Sequence, residues 1–131
     1  MRKLIPAIIG SVLLATPALA ADNPRGEAEL DRAIAGRVAG EPVNCISLRG
    51  STSSQIIDGT AIVYRIGSTL YVNRPRSGAE SLDRDDTMIN RFFGDSRLCN
   101  TDAVRTVDLH SGFMTGVVLL GDFVPYRRPR Y

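Results

Sequence analysis

The chain has 131 residues with two cysteines, one histidine and no tryptophan, and its 16 basic residues against 14 acidic ones give a formal charge of +2. That excess sits at the extreme N-terminus: without Arg2 and Lys3 the count is 14 basic against 14 acidic, so the body lacks the positive surplus that nucleic-acid binding requires. A single histidine also excludes any metal site built on a histidine pair.

Residues 1–20 carry the three parts of a secretory signal peptide. Arg2 and Lys3 supply the basic start, Leu4 to Leu14 the apolar stretch, and Ala18-Leu19-Ala20 the small-residue site before Ala21. The apolar stretch is interrupted by Pro6 and Gly10 and is shorter than the about 20 residues that span a bilayer. Cleavage after Ala20 and no membrane span in the mature protein are therefore expected. The first cysteine is Cys45, which does not fit a lipoprotein. The expected location is periplasmic or secreted, and about 111 mature residues suffice for one modest domain.

Residues 21–41 read as a short amphipathic helix and linker. Asn23 can cap, Pro24 suits the first turn, and Leu30, Ile34 and Val38 recur at four-residue spacing before Gly40. From residue 42 to 125 the pattern becomes that of strands. Cys45 to Leu48 alternates, and Ile56-Ile57 runs into Asp58-Gly59, a hairpin signal. The β-branched run Thr60 to Ile66, the turn Gly67-Ser68 and the run Thr69 to Asn73 complete a three-stranded meander.

Asn73 to Asp86 is rich in Pro, Gly, Ser and charge and reads as a loop. Residues 87–93 suit a strand or a helical turn, and Phe92-Phe93 ahead of Gly94-Asp95 favours the strand. Ala103 to Leu109 alternates again, Ser111-Gly112 turns, and Phe113 to Leu120 returns. The expected fold is mainly β: a small antiparallel curled sheet or barrel of about six strands with one N-terminal helix. Residues 126–131 read as a basic solvated tail.

Cys45 and Cys99 lie in a chain bound for an oxidising compartment, which favours a structural disulfide. A reactive or metal-binding thiol pair is the alternative, but there is no Cys-x-x-Cys. His110 lies between Asp108 and Ser111, so a nucleophile, base and acid can be written side by side. Neighbours along a strand point to opposite faces, and such sets are assembled from distant segments. The acidic run Asp83-Arg84-Asp85-Asp86 lacks the glycine and terminal glutamate of a calcium loop. Arg74 and Arg76, with the arginines of the tail, are candidate anion contacts, because guanidinium grips phosphate and carboxylate bidentately. Tyr64 and Tyr71 fall in facing strands, where they can form a binding platform or a stabilising cross-strand pair. No catalytic, cofactor-binding or metal-binding residue is assigned.

Residues 45 to 125 resemble the DUF6491 family of small exported proteobacterial domains of unknown function. The resemblance is carried by Cys45-Ile46, Ile57-Asp58-Gly59, Ile62 to Arg65, Leu70-Tyr71-Val72-Asn73, Leu98 to Val104 and Gly116 to Pro125. Members of that family often carry two further cysteines, where this chain has Ser77 or its neighbourhood and Val118. Their joint loss implies that Cys45 and Cys99 are the remaining pair. The family implies no activity. The composition favours a non-enzymatic periplasmic binding or structural protein with an envelope component as partner and no cofactor. The alternatives are an enzyme inhibitor presenting the loop from Asn73 to Asp86, and a small hydrolase using His110 with Asp108 or Asp102.

Overall fold

A computed structural model describes residues 23–49, 52–90 and 95–130. The expected signal peptide at 1–20 and Arg91 to Phe93 lie outside the described residues, as do 21–22, 50–51, Gly94 and Tyr131.

The helix α1 spans Pro24–Ala33 and begins as the sequence dictates: Asn23 Oδ1 accepts the Gly26 N–H at 3.2 Å and Pro24 occupies the first position. It ends earlier than the apolar repeat suggests. Gly36 adopts φ 74°, a conformation that stops the helix. Val38, expected to continue the stripe, lies in the short strand β1 (Val38–Ala39) and is 59% exposed. Leu30 is the buried residue of the helix stripe, and Gly26 makes its close approach possible. A Cβ at Gly26 would come within 1.7 Å of Thr60 Oγ1.

Ten short strands are found among the described residues, in three antiparallel sheets that do not close into a barrel. They continue as β2 (Cys45–Ser47), β3 (Thr52–Ile57), β4 (Ala61–Ile66), β5 (Thr69–Asn73) and β6 (Asp86–Ile89). The last four are β7 (Arg97–Cys99), β8 (Ala103–Asp108), β9 (Met114–Leu119) and β10 (Phe123–Arg127). The largest sheet has the order β1-β10-β5-β4-β3; β2 pairs with β7, and β6-β8-β9 form the third sheet. The predicted meander is β3-β4-β5, and 86–89 is a strand.

The five-stranded sheet is covered on both faces, which explains the unbroken apolar run of β4. Ala61 and Val63 pack with Leu30 of α1, Ile57, Leu70 and Val72. Ile62 and Tyr64 point the other way, into a cluster with Ile46, Leu98, Val104, Val118 and Phe123 contributed by the smaller sheets and β10. Successive residues of a strand face opposite sides, so one four-residue segment feeds two cores. The mainly β architecture with one N-terminal helix is thus an α/β/β layering.

The C-terminal tail corrects the sequence reading. Arg127 belongs to β10, which lies between β5 and β1, and the solvated tail starts only at Arg128. Proline is disfavoured inside a sheet because it lacks a donor. Pro125 is tolerated because its carbonyl faces Gly40, whose N–H it accepts at 2.7 Å. The missing N–H falls on that same side, where β1 is only two residues long.

Candidate functional site

Each polar group singled out in the sequence has a place in the fold. His110 occupies the exposed turn between β8 and β9. Asp108 Oδ1 accepts the N–H of Ser111 at 2.9 Å and that of His110 at 2.7 Å, and these bonds hold its carboxyl below the usual carboxylate range. Asp102 lies at the opposite end of β8, where its Oδ2 accepts the Cys99 N–H at 2.7 Å. Both carboxylates serve the backbone, and the side chains of His110, Asp108 and Asp102 share no hydrogen bond among the described residues. The triad-like string is a turn cap.

The acidic run is likewise occupied. Asp83 Oδ1 accepts the Asp85 N–H at 2.9 Å, and the Thr115 hydroxyl donates to Asp86 Oδ2. Arg84 joins Asp58 on the β3–β4 turn to Glu29 on α1, with N···O distances of 2.8 Å to each carboxylate. Among the described residues no group of three or more His, Cys, Asp or Glu side chains is placed to hold a metal ion.

The two candidate anion contacts are engaged internally. Arg74, just after β5, grips Glu27 of α1 with both terminal nitrogens, the second bond being 2.9 Å long. Arg76 donates from Nε to the Leu120 carbonyl at 2.8 Å and from a terminal nitrogen to that of Asn100 at 3.2 Å. The loop from Asn73 to Asp86 is tied down along its length: Ser77 bridges to Leu119, and residues Ala79–Ser81 form a 3-10 turn against β9.

Cys45 and Cys99 form a disulfide and are direct partners across β2 and β7, with Cα atoms 4.0 Å apart. The Asn100 N–H donates to the Asn44 carbonyl beside them, so the pair occupies a narrow, non-hydrogen-bonded position of the ladder. Tyr64 and Tyr71 are direct partners too. They do not form an exposed platform: Tyr64 is 3% exposed and packs edge-on to Phe123 at 5.9 Å between ring centres.

Two features were not evident from the sequence. The first is a cleft of about 420 Å³ between the edge strands β3 and β6, lined by Ser54, Gln55, Arg84, Asp86, Thr87 and Met88 among others. A smaller recess of about 120 Å³ shares Ser54 and Met88 with that cleft and reaches Tyr64 and Asn90. The Tyr64 hydroxyl and Asn90 Oδ1 are buried there without a hydrogen-bond partner among the described residues.

No protein-family model, curated protein or solved structure matches this chain.

The second feature is the outer face of the three-stranded sheet. Val104, Thr106 and Val118 point inward and are fully buried. Alternation then puts Ile89, Arg105 and Val117 in one outward row, with Ala103 and Leu119 in the next and Val107 and Met114 beyond. Ile89, Met114, Val117 and Leu119 are exposed, and Leu109 and Phe113 at the hairpin end extend the surface, Phe113 being 75% exposed. Alternation along a strand sends successive side chains to opposite faces. What the sequence could not show is that the outward face here is itself apolar.

Proposed function

We propose that the chain is a non-enzymatic binding protein of the cell envelope, released into the periplasm by cleavage after Ala20, and that it belongs with the DUF6491 domains its motifs resemble. The observation that carries this reading is the apolar outer face of β6-β8-β9. Contiguous apolar surface of this kind marks protein contact sites on soluble domains, and Arg105 amid Ile89 and Val117 is the kind of central cation that interfaces favour. The disulfide supports the oxidising compartment. The site geometry favours binding over hydrolysis because Asp108 is committed to the turn backbone and His110 is exposed.

The test is site-specific photocrosslinking in the periplasm from position 117, with the same crosslinker at position 53 on the far edge strand as control. One reproducible protein adduct from position 117, on a mature chain starting at Ala21, is the expected result. Equal adducts from both positions, or none from 117, would refute the binding face.

A further inference from the structure

The basic residues of this chain are scattered in sequence, yet the strand registers gather three of them. Arg65 at the end of β4 is the partner of Leu70, Leu70 of Tyr126, and Tyr126 of Ala39. Leu70 and Tyr126 both pack on the side of the sheet covered by α1, so Arg65 shares that side. Arg37 and Arg128, each two residues beyond a member of this row, continue the same side at the same end of the sheet. Arg37 fits this placement: it is pushed below the usual arginine range by loss of solvent first and then by the charges of Arg128 and Arg65.

We infer that Arg37, Arg65 and Arg128 form a binding site for a phosphate group. Arg37 is fixed before any ligand arrives, since one terminal nitrogen donates to the Ser68 carbonyl at 2.7 Å and the Tyr126 carbonyl at 3.3 Å. A held guanidinium loses little freedom on gripping an anion. Arg65 and Arg128 are exposed, so both guanidinium groups are accessible to it. None of the three takes part in an ion pair among the described residues, whereas Arg74 and Arg84 are neutralised by Glu27, Glu29 and Asp58. Three like charges gathered at one end of the sheet, with no ion-pair partner among the described residues, repel one another, and a phosphate relieves that repulsion while accepting several N–H groups. A free phosphate and one carried on a lipid headgroup present the same oxygens. This site is on the helix-covered side of the large sheet, apart from the apolar face of β6-β8-β9, so its failure would leave that binding reading standing.

The mature protein is titrated with inorganic phosphate, followed by backbone amide shifts. In a second arm it is sedimented with phosphatidylglycerol vesicles, with phosphatidylcholine vesicles as the neutral control. Arg65→Gln and Arg128→Gln should each weaken binding about fivefold, and both should steepen the loss with added salt less than the parent does. Arg97→Gln, an exposed arginine of β7, should leave it unchanged, and Arg65→Lys should recover part of the loss. Binding in the phosphate arm alone assigns a free phosphate, and binding in both arms a lipid headgroup. No binding in either arm, or an equal loss in Arg97→Gln, overturns the site.

Discussion

The side chain of Asn73 pairs with the backbone of Gly121 as a second strand would, donating from Nδ2 to the Gly121 carbonyl at 2.7 Å and accepting the Gly121 N–H on Oδ1 at 3.0 Å. Both residues are buried, Asn73 completely. Gly121 must lack a side chain, because a Cβ there would come within 2.3 Å of the Arg74 carbonyl. Asn73→Ala removes both bonds and strands a buried N–H and a buried C=O, at about 1 to 3 kcal/mol for each group. We expect a fall of about 2 to 5 kcal/mol in urea unfolding with little change in slope. Asn73→Asp keeps the acceptor but loses the donor and introduces a charge, so it should be at least as damaging near neutral pH. A loss below 1 kcal/mol for Asn73→Ala would show that the pairing contributes little.

Cys45 and Cys99 close a loop with a sequence separation of 54, for which loop-closure entropy gives about 4 kcal/mol. The double variant Cys45→Ser with Cys99→Ser should therefore lose about 2 to 4 kcal/mol in urea melts. Reduction of the parent protein should reproduce that loss, because β2 and β7 are only three residues each and, among the described residues, form a sheet of just these two strands.

The sequence made the strands legible wherever alternation and a tight turn coincided, as at Asp58-Gly59 and Gly67-Ser68. It misled at the two ends of the chain body. The spacing of Leu30, Ile34 and Val38 fits a helix, but the left-handed Gly36 cuts it and Val38 pairs with Arg127 instead. That pairing spans most of the chain, so no local window contains it. The same holds for the arginines: Arg74-Pro75-Arg76 looked like a cationic pair from its spacing alone, yet its partners Glu27, Leu120 and Asn100 come from three other segments. Arg37, Arg65 and Arg128 meet only through the register of four strands.

Tyr64 carries a hydroxyl buried without a partner among the described residues, and an unmade hydrogen bond of this kind costs about 1 to 3 kcal/mol. Tyr64→Phe removes the group and keeps the ring against Phe123. The variant should be as stable as the parent or more so, by up to about 1 kcal/mol in thermal or urea unfolding. Burial also pushes the phenol above its ordinary value of 10.0. Because the folded state then holds its proton where the unfolded state releases it, this contribution is present below pH 10 and declines as pH rises further. The parent should lose stability above about pH 10 more steeply than Tyr64→Phe, and identical alkaline profiles would rule out the burial argument.

At the acid end the sign reverses. The bond from Arg74 holds the Glu27 carboxyl below its ordinary value of 4.5, against the opposing effect of burial. A carboxylate with a lowered value in the folded state releases its proton there first, so its contribution is present above pH 4.5 and fades as pH falls through the folded value. Both side chains are substantially exposed, 56% for Arg74 and 37% for Glu27, which limits the pair to about 0 to 1 kcal/mol after solvent screening. Glu27→Gln should thus cost at most about 1 kcal/mol at pH 7 and nothing further as the acid limit is reached. The difference between parent and variant should also shrink with added salt, since an exposed pair is screened within about 10 Å at 0.1 M. A difference that persists unchanged to low pH would assign the loss to packing of α1 on the sheet rather than to the ion pair.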